Sequence, residues 1–110
     1  MVEWRLCRLD EVPDGGARVI DASQVDVPVV IVRRGGDVWA YENRCPHFSV
    51  PLDFEPGSVS CYRSRVLMCA HHSALFRFED GHCIEGPCAG ARLDARKVDV
   101  DAAGWIVLIK

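Results

Sequence analysis

Apolar residues fall in short runs along this chain, broken every few positions by turn-forming residues, and they nowhere sustain a helical period. Trp4–Leu9 reads as a first strand, ended by Pro13-Asp14-Gly15-Gly16. Val29–Arg33 is a continuous β-branched run, the pattern of a strand covered on both faces. Gly35-Gly36 then supplies the positive φ angles of a tight hairpin, and Val38–Asn43 returns. Arg65–Met68 forms another strand, and Asp80-Gly81 is a two-residue hairpin signal between Leu75–Phe78 and Cys83-Ile84. Near the end, Val98 and Val100 alternate with Asp99 and Asp101, and Ala103-Gly104 turns into Trp105–Ile109. The expectation is an all-β chain, a small antiparallel barrel or sandwich that gathers its functional loops at one end.

Size narrows this further. At 110 residues, a single domain over 1–110 with one modest core is expected. The formal net charge is −3, with acidic and basic residues interspersed and no basic stripe, which argues against a nucleic-acid partner. No run approaches the roughly 18 apolar residues of a membrane span. Met1-Val2-Glu3-Trp4-Arg5 carries no apolar segment like a signal peptide, so a cytoplasmic location is expected.

Six cysteines in such a compartment point to metal or redox chemistry before a disulfide framework. Two of them sit in short pairs with histidine, Cys45-Pro46-His47 and Cys69-Ala70-His71-His72, separated by residues 48–68. Each pair places a soft thiolate and an imidazole a few residues apart at the end of an expected strand. Two thiolates and two imidazoles also satisfy tetrahedral zinc, though C-x-H with C-x-x-H is not a usual zinc-finger spacing. Colour separates the cases, since a zinc site is colourless. The remaining cysteines, Cys7, Cys61, Cys83 and Cys88, read as reduced, partly buried small residues. In an oxidising compartment Cys83 and Cys88 would be candidates to pair.

C-x-H followed by C-x-x-H, with proline after the first cysteine, resembles the Rieske iron–sulfur family. Around the pairs, Pro28-Val29-Val30-Ile31-Val32-Arg33-Arg34-Gly35 and Val38-Trp39-Ala40-Tyr41-Glu42-Asn43 look like the family's hairpin into the first cluster loop. Ser73-Ala74-Leu75-Phe76 and Gly86-Pro87 look like its exit strand and its third, proline-bearing loop. The resemblance implies one 2Fe–2S cluster, with Cys45 and Cys69 on one iron and His47 and His72 on the other, His71 being left as a neighbour by register. Replacing two thiolates by neutral imidazoles removes two negative charges and raises the reduction potential.

Within the family the chain is most similar to stand-alone Rieske-type ferredoxins. That implies a one-electron carrier with no substrate site of its own. It would be a monomer, passing electrons from a flavin-containing NAD(P)H reductase to a terminal oxygenase such as a ring-hydroxylating dioxygenase. The alternative is the small subunit of a cytoplasmic NAD(P)H nitrite reductase. The high-potential respiratory members carry a disulfide between their cluster loops; here Val50 and His71 stand at those positions. They also carry Ser and Tyr hydroxyls where this chain has Ala74 and Phe76. Without those donors a midpoint near about −150 mV is expected, and one above zero at neutral pH would overturn this.

Several departures from the ferredoxin pattern accompany these. Ser49 and Ser73 stand where glycine is usual, and the loop is longer than the commonest, with the extra chain expected within Asp53–Arg65. Phe48, Val50, Pro51, Leu52 and Pro87 form an expected apolar cover or docking patch. Asp53, Glu55, Glu79, Asp80 and Glu85 read as an acidic rim for a basic partner, or as ordinary solvated charges.

Overall fold

The computed structural model describes residues 3–20, 28–44, 60–63, 65–69, 74–86 and 90–109. Its organising element is β3 (Val29–Arg34), whose first four residues are fully buried. Successive side chains of a strand point to opposite faces. Val29 and Ile31 therefore enter one core and Val30 and Val32 a second one. A strand buried on both faces needs apolar residues at every position, as its continuous run implied.

The described strands form three antiparallel sheets. In the first, β1 (Glu3–Arg8) pairs with β11 (Trp105–Ile109), which pairs with β10 (Val98–Val100). The second runs β2 (Ala17–Ile20), β3, β4 (Asp37–Glu42) and β9 (Ala95–Arg96). The third runs β5 (Ser60–Tyr62), β6 (Val66–Cys69), β7 (Ala74–Arg77) and β8 (Cys83–Glu85). A 3-10 turn over Leu9–Glu11 is the only helical element among the described residues, in keeping with the all-β expectation. No helix there is long and apolar enough to cross a membrane.

The core on the Val29 and Ile31 side holds Leu6, Val12, Ile20, Ile106 and Leu108. Arg33 ties it to the hairpin by donating from Nη1 to the carbonyls of Leu9 (3.4 Å) and Val12 (3.0 Å). The other core holds Tyr41, Leu67, Ala74, Phe76, Phe78 and Leu93, and so joins the second sheet to the third.

Strand boundaries agree with the sequence to within a residue or so, but β2, β5 and β9 went unanticipated. The Asp80-Gly81 turn also differs. Phe76 pairs with Cys83, the Arg77 N–H donates to the His82 carbonyl (3.1 Å), and residues 78–81 make the turn. The reason is Phe78, which is fully buried and offers its carbonyl to the Tyr41 hydroxyl, so it leaves the ladder. Gly81, at φ +68°, lies against the Tyr41 ring; an added Cβ there would sit 2.7 Å from Cε1. Asp80 braces the turn by accepting from the Arg77 side chain and the His82 N–H, which together hold its carboxyl below the usual range. His82, just past the turn, is half-buried in a bridge with Arg92.

Tyr41→Phe removes the donor to a buried carbonyl and is expected to cost about 1–3 kcal/mol. Burial, reinforced by Asp80 and Glu79, raises the Tyr41 hydroxyl's pKa well above its ordinary value. In the unfolded chain the phenol ionises near pH 10. The contribution is thus complete below about pH 10 and is lost as pH rises toward the folded value. Urea midpoints of the two proteins should differ at pH 7 and converge above about pH 10. A gap that stays constant with pH would contradict this assignment.

Candidate metal centre

One row of residues crosses the third sheet at one end: Ser60 faces Met68, Met68 faces Leu75, and Leu75 faces Glu85. Ser60 follows directly on segment 45–59, which begins with the first Cys/His pair. The next pair along, Cys69 with Ala74, brackets residues 70–73, which carry the rest of the second Cys/His pair. Gly86, one residue past Glu85, lies against Ala74 and leads into 87–89. Short antiparallel strands in register therefore bring the ends of three connecting segments to one edge of one sheet.

The first segment leaves β4 from a firm stem. The Glu42 N–H donates to the Asp94 carbonyl (2.8 Å) and the Asn43 N–H to the Pro28 carbonyl (2.8 Å). Arg44 adds a 3.0 Å ion pair with Asp94. Both partners of that pair are exposed, so the backbone bonds matter more.

Of the expected ligands, Cys69 is placed by its backbone at the end of β6. Cys45, His47 and His72 lie outside the described residues, as do His71, Ser49, Ser73, Phe48, Val50, Pro51, Leu52, Pro87, Asp53, Glu55 and Cys88. Among the described residues no group of three or more His, Cys, Asp or Glu gathers to hold a metal. The donor set itself, two thiolates and two imidazoles on segments whose ends meet at one sheet edge, fits a Rieske cluster.

The other cysteines behave as small hydrophobic residues where they are described. Cys7 is buried, and burial pushes its thiol up to about 11, Arg18 lowering it and Glu11 raising it slightly. Cys61 is half-buried on β5, and burial pushes its thiol up to about 11 as well. Cys83 is buried and donates to the Glu85 carbonyl (3.3 Å). Ala74 and Phe76 are both fully buried in the core, and neither carries a donor.

The acidic rim needs correction. β7 is four residues long, and Glu79 and Asp80 follow its far end, away from the row and from Cys69. There Glu79 pairs with Arg34 (3.3 Å) and Asp80 with Arg77. Of the described acidic residues proposed for the rim, Glu85 alone stands at the metal-side edge. A small groove beside that distal turn, lined by Trp39, Tyr41, Glu79, Asp80, Arg96 and Lys97, is likewise remote from the row. Sequence reading missed Ser60 and the Gly86–Ala74 contact, because both depend on strand register; Gly86 and Gly90 flanking Pro87 were the available signal.

The fold and this edge define the class. Residues 3–101 match the family described as Rieske [2Fe-2S] domain, and the chain belongs to that family, whose cofactor is a Rieske-type 2Fe–2S cluster. Among curated proteins, it is 32% identical over 57 residues to the terminal oxygenase component of carbazole 1,9a-dioxygenase from Sphingomonas sp., a stretch covering 52% of this chain and 14% of that protein. The chain thus spans about a seventh of that relative. Among solved structures, the terminal oxygenase of carbazole 1,9a-dioxygenase from Novosphingobium sp. KA1 superposes with a TM-score of 0.80 at 21% identity, covering 97% of this chain and 29% of that one. The ferredoxin of carbazole 1,9a-dioxygenase from Nocardioides aromaticivorans IC177 superposes with a TM-score of 0.78 at 23% identity, covering 98% and 97%. At these identities the superpositions speak to the fold.

Proposed function

We propose that this chain is a Rieske-type ferredoxin, a one-electron carrier between a flavoprotein NAD(P)H reductase and a terminal oxygenase. Its cluster is held by Cys45, His47, Cys69 and His72, within a single domain over 1–110. The observation that carries this reading is the row Ser60–Met68–Leu75–Glu85, which brings three segment ends to one edge. The superposition on a ferredoxin across nearly the whole of both chains supports it.

Bound there, the cluster supplies one-electron oxidation and reduction. The chain's own part is to keep two thiolates deprotonated, present two neutral imidazoles, and hold both loops on stiff hairpins so that little has to rearrange. The protein is not an enzyme on its own, is monomeric, and works in the cytoplasm with transient partners of small contact area.

The test is size-exclusion chromatography of the native protein, followed by its visible absorption. A coloured monomer that rapid mixing shows being oxidised by a terminal oxygenase is the expected result. Colour that elutes only with a much larger flavoprotein would favour the nitrite reductase subunit. A colourless, zinc-containing monomer would overturn the cluster assignment.

A further inference from the structure

We propose that Gly86 is a positioning residue of the metal centre: having no side chain, it lets the end of β8 rest on Ala74, and this contact holds the start of β7, which adjoins the second ligand pair. The proposal rests on the assignment of Cys69 and His72 as ligands.

The local structure is built toward this contact. Leu75 pairs with Glu85 but Phe76 pairs with Cys83, so Ile84 is an extra residue in β8. Such a bulge bends its strand and re-aims the chain beyond it. Ile84 is accordingly half exposed, and the Cys83 thiol donates across the bulge to the Glu85 carbonyl (3.3 Å). The strand then turns at Gly86, with φ +113°. A Cβ on Gly86 would lie 2.7 Å from Ala74 Cα, 3.0 Å from its Cβ and 3.4 Å from its nitrogen.

Ala74 has no room to yield. It is fully buried, belongs to the core shared with Phe76 and Leu67, and pairs with Cys69. It also stands two residues after His72. Any shift that a side chain at Gly86 forces falls on the strand start adjoining the second ligand pair.

Gly90 and Ala91 are held to the sheet separately. The Gly90 N–H donates to the Cys83 carbonyl (3.1 Å), and the Cys83 N–H donates to the Ala91 carbonyl (2.8 Å). Gly90 also has a positive φ, +94°, yet a Cβ there would meet nothing within 4 Å. Two glycines therefore bracket the same short segment. Both carry a backbone conformation that disfavours a side chain, and one of them alone is in tight contact. Gly90→Ala is thus an internal control for backbone strain without crowding.

The experiment uses the holoprotein and its Gly86→Ala, Gly90→Ala and Ala74→Gly variants. The readouts are thermal midpoint, the rate at which visible absorption is lost under a chelator, the midpoint potential and the paramagnetic spectrum of the reduced state. Gly86→Ala is expected to lose its colour about tenfold faster than wild type and to alter the spectrum, the lower end of what outer contacts contribute at metal sites. Gly90→Ala should lower the thermal midpoint by less, through backbone strain alone, while keeping the wild-type spectrum and a colour lifetime within about twofold. Ala74→Gly loosens the same contact without crowding and should shorten the lifetime in the same direction. Equal lifetimes and spectra for Gly86→Ala and Gly90→Ala would overturn the proposal. Should Gly86→Ala fail to fold, an Ala74→Gly variant that bleaches at the wild-type rate would overturn it. A colourless wild type would remove the ligand assignment, and this proposal with it.

Discussion

Cys69→Ala is expected to give a folded, colourless protein without bound iron. The residue ends β6 opposite Ala74, and as a proposed ligand it supplies one of two thiolates to a single iron. Removing it leaves that iron without half of its protein donors, and among the described residues the thiol on the adjoining strand is poorly suited to replace it. Cys61 lies on the adjacent strand, paired with Leu67, but burial holds its thiol up at about 11 and so protonated at neutral pH. Cys61→Ala therefore serves as the comparison and should keep both iron and colour. Iron content per chain and the visible spectrum decide the matter. A coloured Cys69→Ala protein, or a colourless Cys61→Ala protein, would remove the basis for the ligand assignment.

Phe76→Ala should produce the largest loss of stability. Phe76 is fully buried in the core it shares with Leu67, Phe78 and the β3 residues Val30 and Val32. Emptying such a site costs about 3–5 kcal/mol, against the roughly 5–15 kcal/mol that holds a typical domain folded. With a urea slope of about 1–3 kcal/mol per molar, the midpoint should fall by about 2 M. Ile84→Ala, on a residue half exposed at the β8 bulge, should change stability by no more than about 0.5 kcal/mol. Comparable midpoints for the two variants would show that Phe76 is not the keystone of this core. The pair also tests whether the metal-side sheet depends on packing from beneath, since Phe76 is on β7 beside the second ligand pair.

Much of the fold was legible because its central strand is unambiguous. The β-branched Val29-Val30-Ile31-Val32 run suits a strand covered on both faces, and the hairpin after it turns as expected, though Gly35 alone of the Gly35-Gly36 pair takes a positive φ, +64°. Two of the three strands that escaped notice share a physical cause. β5 is Ser-Cys-Tyr and β9 only Ala-Arg, too short to show a period, and both form because a neighbour offers its backbone edge. The Asp80-Gly81 signal was real, but the burial of Phe78 beneath Tyr41 overrode the two-residue turn. At the site, the residue types and spacing of the proposed ligands could be read directly. Where they stand relative to other residues could not. Glu79 and Asp80 are near the second pair in sequence, yet a four-residue strand is enough to carry them to the opposite end of the sheet.

The two-sided burial of β3 acts as a party wall. Side chains from the β1–β11 layer meet Val29 and Ile31, while those from the β5–β8 layer meet Val30 and Val32. Neighbouring β4 continues the wall, with Ala40 in one room and Tyr41 in the other. The layer built on β1, β11 and β10 is therefore the place to attach a surface label or an electrode tether. Asp99, exposed on the edge strand β10, offers such a handle, separated by two layers of side chains from the sheet that carries Cys69.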